Sequence, residues 1–389
     1  VDVITTIQRI IRKAPERMIP FRIYMEHALY SPEGGYYQQE KPKVGKQGDF
    51  YTNASVGSVY GEVIADVLWE MLGKLPGHNS KTIVEMGGGA GQLSAHILRY
   101  LQETGRLADM PEPLPYIMIE TSAYHRSLQQ EALSAFREAV DVRWYESIKE
   151  AKAEWGELHG VFFSNELPDA FPVHLIEYRD GSWHEVYVTE EEEGEERRLF
   201  SERLGPLSTP MLADYIKDEC IPPLEGYRTE VNLESLRWME DVAGWLTRGY
   251  ILTVDYGYER GVLYAPSRKN GTLLCYRSHT ISEDPYKAPG ESDITSHVNF
   301  SALIDKGEVC GLKTLGFYTQ QQFLMQAGIV ARLQSHTGGD PFRNEAAKRN
   351  RAIRQLIVPE GMGHAFRVLI QAKGVESTLT CCTPWSLQM

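Results

Sequence analysis

The stretch TIVEMGGGAGQLS, residues 82–94, limits the fold more than any other part of the chain. An apolar run, Ile83–Val84, stops at the carboxylate Glu85, and glycines follow at 87, 88, 89 and 91 before a helical pattern begins. A strand, a glycine turn and a helix in that order open a βαβ unit, and the missing side chains let backbone approach a ligand closely. The rhythm then repeats. YIMIE reads as a strand, AYHRSLQQEALSAF as a helix, VDVRWY and GVFFSN as strands, LESLRWMEDVAGWL as a helix and YILTVDYG as a strand. A near-continuous apolar strand such as GVFFSN suits burial on both faces of a parallel sheet. HAFRVLIQAKG, near the end, reads as a last, antiparallel strand. The expected class is α/β, a doubly wound Rossmann-like sheet.

The remaining segments give the expected domains. Helical spacing at residues 4–13, a second helix ending at Ser31-Pro32, the loop VGKQGDFYTNASVG and the amphipathic SVYGEVIADVLWEMLGKL make residues 1–79 a helical segment with a GDF loop. Residues 80–264 are the expected core, 265–358 a cap insertion over the sheet, and 359–389 the last strand and tail. The charge run TEEEEGEERRLF reads as a solvated loop.

Charge and cysteine usage narrow the partners. A net charge of −13 repels nucleic-acid backbones and anionic membranes, so neither is a favoured partner. No apolar run approaches the length of a membrane span. The 5 cysteines are odd in number and form no CxxC pair, which points to a reducing compartment with neither a disulfide framework nor a metal site. The expectation is a cytoplasmic protein, or a mitochondrial one if a leader has been removed.

The glycines can be read in two registers. Gly89, Gly91 and Ser94 imitate the GxGxxG dinucleotide fingerprint, whereas Glu85, Gly87, Gly89 and Gly91 read as ExGxGxG. No phosphate loop of the GxxxxGK[ST] type occurs. A pyrophosphate at this strand end would meet Glu85 in a dry site, where like charges repel strongly. S-adenosylmethionine carries a sulfonium and an α-ammonium instead, and a carboxylate suits both. Glu120, ending the second strand, can take both ribose hydroxyls of either cofactor. The strand GVFFSN delivers Asn165, Glu166 and Asp169 to the carboxyl edge of the sheet, where open α/β sheets bind ligands. Asp255 ends the fifth strand as a weaker candidate, and His279 and His297 read as hydrogen-bonded structural histidines of the cap.

With these residues in view, the chain resembles the MidA-type class I methyltransferases, whose mitochondrial member is an arginine methyltransferase assisting assembly of respiratory complex I. The likeness runs through MEHALYSPEGGYY, GDFYTNASVGSVYGE, VEMGGGAGQL, SNELPDAFPVH, DYGY, GTLLCYRSH and DITSHVNFSAL. It implies S-adenosyl-L-methionine as cofactor, held by Glu85, Gly87, Gly89, Gly91, Glu120, Asn165 and Thr52. It implies methyl transfer to an arginine of a protein substrate, such as a respiratory-complex subunit, with Glu166, Asp169 and Asp49 holding the guanidinium. A homodimer is compatible with it. Two positions depart from the family pattern: Ser55 stands where a Glu is usual and Asn299 where an Asp is usual. Those losses on the expected substrate side keep a non-catalytic assembly or binding protein among the alternatives, beside an NAD-dependent oxidoreductase and a small-molecule methyltransferase.

Overall fold

The computed structural model describes residues 2–41, 43, 53–77, 81–191, 199–335, 344–358, 363–376 and 378–383. The chain divides into two compact units. One comprises Val1–Phe50, Pro168–Trp238 and Gly257–Leu303, the other Tyr51–Leu167, Met239–Tyr256 and Ile304–Met389.

The second unit is built on a mixed sheet. Its strands are β1 (Thr82–Met86), β2 (Leu114–Ile119), β3 (Val140–Tyr145), β4 (Leu158–Asn165), β5 (Leu246–Tyr258), β6 (Lys313–Thr319) and β7 (Phe366–Lys373). They lie in the order β6-β7-β5-β4-β1-β2-β3. From β5 to β3 every neighbouring pair is parallel. β7 is antiparallel to both β5 and β6. β4 is apolar along almost its whole length because side chains cover both of its faces: Phe162 and Phe163 point to opposite sides and are both fully buried. Helices Ser58–Gly73 and Gln92–Glu103 bring Val63, Ile64, Leu68, Ile97, Leu98 and Leu101 into one core with Ile83, Val161 and Leu252. The Rossmann-like α/β class and the antiparallel last strand are therefore as expected.

The first unit has an antiparallel sheet of its own, in the order 18–20, 182–190, 174–179, 228–231, with 200–205 beside 182–190. Helix Val3–Lys13, capped by Asp2 (Thr5 N–H to Oδ1, 2.8 Å), and helix Phe21–Tyr30 bury Ile7, Ile11, Phe21 and Met25 in one cluster with Val186, Val188 and Phe200. Strands 274–277, 280–282 and 293–295 form a smaller sheet.

These units do not follow the consecutive segments expected from the sequence. Residues 168–238, expected within the core, form the second sheet, whose strands bury His174, Glu177, Glu185 and Thr189 and so lack a plain apolar alternation. The expected 265–358 insertion is divided: its first part belongs to the first unit, while its second part supplies β6 and helix Glu345–Ile357 to the second. Most of the charge run falls outside the described residues, and its flanks are strands 182–190 and 200–205.

Asn299 illustrates how the first unit is held. It is 6% exposed. Its Nδ2 donates to Tyr215 Oη at 3.0 Å and to Glu219 Oε2 at 2.6 Å, and its Oδ1 accepts from Ala302 N–H at 3.2 Å, at the start of helix Phe300–Val309. An aspartate here would lose both donors and set a second charge against Glu219. Asn299→Asp is therefore expected to destabilise the protein by about 1–3 kcal/mol. The new carboxyl, disfavoured as a charge by its neighbour, has a folded pKa above its unfolded value. The loss therefore grows as pH rises, and thermal unfolding at pH 5 and pH 8 measures it.

Candidate functional site

The glycine turn begins where β1 ends. Parallel pairing sets Met86 beside Ile119 of β2 and beside Ser164 of β4, so residues following these three strands emerge on one carboxyl edge. Gly87 N–H donates to Ile119 O (3.1 Å) and Gly91 N–H to Gly88 O (2.9 Å), closing the turn onto helix Gln92–Glu103. Gly87, Gly89 and Gly91 have φ of 76°, 52° and 78°, the left-handed region that side chains resist. Their surroundings differ. A Cβ on Gly87 would stand 2.8 Å from Leu167 Cδ1 and one on Gly91 3.1 Å from Gln129 Cα, but one on Gly89 would meet nothing within 4 Å. Gly89 is the member of the turn that faces open space.

Glu85 underlies this turn. It is 2% exposed, its Oε2 accepts from Ser94 Oγ at 2.7 Å and from Tyr116 Oη, and a Cβ on Gly88 would lie 3.3 Å from its Oε1. Burial pushes its pKa up, and the two hydroxyls pull it back. Ser94, the small residue that completed the dinucleotide register, is thus a donor to a buried carboxylate. A turn with a carboxylate directly beneath it is poorly suited to a pyrophosphate.

Glu120 follows β2, its N–H donating to Tyr145 O at 2.9 Å. Its Oε1 accepts from Ser122 N–H at 2.9 Å. Burial raises its pKa to about 7, against the opposing pull of the Ser122 N–H, the Arg126 charge and the Gln129 amide. Gln129 was not singled out in the sequence. It is fully buried, and its Nε2 lies 2.8 Å from Gly89 O and 3.4 Å from Glu120 Oε2.

Asn165 and Glu166 stand at the end of β4. Asn165 Oδ1 accepts from Tyr60 Oη at 2.8 Å, and its Nδ2 donates to Glu166 Oε1 at 3.0 Å. Glu166 has φ of 55°, a conformation that disfavours a non-glycine residue by roughly 1–2 kcal/mol. Its N–H donates to Val254 O at 2.8 Å, which holds the turn. Its Oε1 also accepts from Asn53 N–H at 3.3 Å, and Asn53 is anchored through Nδ2 to Gln320 Oε1 at 2.7 Å. Burial, and then the Glu166 charge, hold the Tyr60 phenol well above its ordinary pKa, so it remains a donor. Asn53, Tyr60 and Gln320 escaped the sequence reading because they lie 106 to 154 residues from Glu166, too far for a motif to link them.

The other candidates fall elsewhere. Asp49 and Thr52 lie outside the described residues, as does the side chain of Ser55. Asp169 belongs to the first unit, 6% exposed; burial raises the phenol pKa of Tyr37 and Tyr276, and the charges of Asp169 and Asp293 add to it. Asp255 is fully buried in β5 and accepts from Tyr256 N–H at 2.7 Å, a structural placement. His279 is exposed in the left-handed turn between strands 274–277 and 280–282. His297 donates its backbone N–H to Thr272 Oγ1 at 2.9 Å. Among the described residues, no group of three or more His, Cys, Asp or Glu side chains is arranged to hold a metal ion, and no helix is long and apolar enough to cross a membrane.

The arrangement fits an adenosyl ligand: an open glycine, a carboxylate one strand away to receive hydroxyl donors, and a buried carboxylate directly beneath the turn. The fold and this edge define a class I S-adenosyl-L-methionine-dependent methyltransferase. A family profile described as "Putative S-adenosyl-L-methionine-dependent methyltransferase" matches residues 63–318, and the chain belongs to that family, the MidA-type methyltransferases. It is 27% identical to the mouse protein named "Protein arginine methyltransferase NDUFAF7, mitochondrial" over 88% of this chain and 78% of that one. The Drosophila melanogaster homologue of that name is 26% identical over 92% of this chain and 82% of its own. A crystal structure of a COG1565 superfamily member from Burkholderia thailandensis, bound to S-adenosyl-homocysteine, superposes with a TM-score of 0.86 at 29% identity, covering 100% of this chain and 96% of that one. These matches overturn the dinucleotide-enzyme alternative and establish S-adenosyl-L-methionine as the cofactor. The relatives are named as mitochondrial, so the cytoplasmic expectation finds no support among them.

Two outcomes follow for the cofactor. Gly89→Ala is expected to fold, with a modest loss of stability from its left-handed backbone but no collision, and to weaken S-adenosyl-L-methionine binding by about ten-fold or more by intruding on the approach side. Gly87→Ala, which collides with Leu167, is expected to lower the melting temperature as well; calorimetric titration beside thermal unfolding separates the two. Glu120 is ionised above about pH 7 and protonated below it. A ribose diol donates to the ionised form, so affinity is expected to fall as pH drops through that value. The ligand's own α-ammonium titrates near pH ~8, so the difference between wild type and Glu120→Gln across pH 5.5–8.5 is the quantity to measure.

Proposed function

We propose that this methyltransferase acts on an arginine side chain of a protein substrate. The observation that carries the reading is Glu166: a carboxylate in a left-handed turn at the carboxyl edge, held by Asn165 and by the Asn53 N–H, next to the strand end that bears the glycine turn. The names of the curated relatives support the same acceptor.

Bound S-adenosyl-L-methionine supplies an electrophilic methyl group on a sulfonium. The chain supplies alignment, which can contribute up to ~7–11 kcal/mol. Glu120 and the open Gly89 face take the adenosine, Gly87 and Gly91 shape the turn, and Glu85 braces it from beneath through Ser94 and Tyr116. Asn165, at the end of β4, is a further residue for the cofactor, as the family resemblance also implies for Thr52. A guanidinium stays protonated in water, its pKa above ~12, and its nitrogen lone pairs are delocalised. Glu166 pairs with it, fixes the approach of one nitrogen and receives the proton which that nitrogen sheds. Asn165 and Asn53 hold the Glu166 carboxylate in place while this occurs. A respiratory-complex subunit is one protein of the proposed class.

The test uses S-adenosyl-L-methionine labelled in the methyl group, incubated with proteins from cells lacking this enzyme, followed by acid hydrolysis and amino-acid analysis. Label in methylarginine is expected. Label in another residue, or only in small molecules, refutes the arginine reading. Glu166→Gln is expected to reduce transfer by about 10²-fold or more while S-adenosyl-L-methionine still binds with near wild-type affinity; undiminished turnover removes Glu166 from the role.

A further inference from the structure

Helix Ala123–Ala132 carries an unusual buried stripe. Its inward residues are His125 and Gln129, four apart, following the buried N-cap Ser122, while the apolar Leu128 is half-buried. A fully buried glutamine has four hydrogen-bonding positions to satisfy, and an unmet one is costly. Gln129 meets three partners from three different elements. Its Nε2 donates to Gly89 O at 2.8 Å, in the glycine turn, and lies 3.4 Å from Glu120 Oε2, after β2. Its Oε1 accepts from Trp144 Nε1–H at 3.1 Å, in β3. The Trp144 bond fixes which end of the amide is which: an indole N–H can only donate, so the amide oxygen faces Trp144 and the amide nitrogen faces Gly89 and Glu120.

The geometry points to Gln129 as the positioning residue of the cofactor site, with Trp144 orienting it: one amide holds the open glycine and the ribose-binding carboxylate at a fixed separation. The inference rests on the reading that Glu120 receives the ribose hydroxyls. Gly89 O and Glu120 Oε2 are both acceptors and would repel each other if the donor between them were removed. A single NH₂ group bridging them sets the width of the adenosine slot. It also leaves Glu120 Oε1 to the Ser122 N–H, so that the carboxylate can turn neither toward the turn nor away from it. Gln129 also packs against Gly91, whose missing Cβ would lie 3.1 Å from Gln129 Cα, so the contact needs a glycine on one side and this helix on the other. In the same frame the Gln129 donor favours the ionised form of Glu120, the form that accepts from a diol.

The experiment compares binding of S-adenosyl-homocysteine and its 2′-deoxyribose form to wild type, Gln129→Met, Gln129→Glu, Trp144→Phe and Glu120→Gln, with thermal unfolding as the control for folding. Wild type should prefer the ribose form by about ten-fold, the worth of one charge-assisted hydrogen bond. Gln129→Met fills the same space without a donor. It should lose most of that preference and move the pH midpoint of binding upward. Gln129→Glu, which keeps the acceptor for Trp144 but sets a carboxylate against Gly89 O and Glu120, should lose more. Trp144→Phe should give a smaller loss in the same direction, and it decides the matter should neither Gln129 variant fold. A purely structural glutamine would lower the melting temperature and leave ribose preference and pH midpoint as in wild type; that result overturns the proposal. If Glu120→Gln itself retains the wild-type preference, the assignment of Glu120 to the ribose falls first and the role of Gln129 falls with it.

Discussion

A carboxylate buried beneath a glycine turn governs the cofactor edge of this protein. Glu85 sits in the dry interior, where an ionised group without donors is strongly disfavoured. It finds two, the hydroxyls of Ser94 and Tyr116. One belongs to the helix that leaves the turn and the other to the neighbouring strand β2, so satisfying Glu85 ties β1, β2 and helix Gln92–Glu103 together at the point where the chain reverses. Each such hydrogen bond is worth roughly 1 kcal/mol, and together they brace the turn that carries three left-handed glycines. Once the turn is fixed, parallel pairing dictates that residues following β2 and β4 emerge beside it.

The edge then divides along the sheet. On the β2 side, Glu120 and Gly89 are joined through Gln129. On the β4 side, Glu166 is joined to Asn165, and through it to Tyr60, and to Asn53, which is anchored by Gln320. Both halves orient an acidic group through amide donors, and on the β2 side the Arg126 charge also bears on Glu120. Amides orient a carboxylate without neutralising it, so its charge remains available to a donor ligand.

The features legible in the sequence were those whose physical cause is local. Apolar runs such as Val161–Phe163 announce buried parallel strands, and Glu85 with its glycines announces a turn. The edge strand β6 was missed because its side chains are only partly buried and its composition mixes Lys, Thr, Gly and Tyr. The antiparallel sheet of the first unit was missed because it buries polar side chains in pairs, as where His174 Nδ1 meets Glu185 Oε1 at 2.7 Å. Before folding, His174 and Glu185 look like surface residues. Gln129 failed for the same reason in sharper form: beside Leu128 and Gln130 it looks the more solvent-facing residue of the helix, whereas it is the fully buried one. Asn299, which looked like a lost substrate-side carboxylate, is a buried donor to Glu219.

The placement of β7 has a consequence for how the molecule comes into being. Residues 366–373 are not an outer edge; they lie between β5 and β6, antiparallel to both. A nascent chain that has yielded everything up to β6 therefore carries two strands waiting for a third that has not left the ribosome. Their unpaired backbone edges are surfaces on which other chains can assemble. The sheet can close only once β7 has emerged to pair with both β5 and β6, so the pairing that completes it is a long-range one.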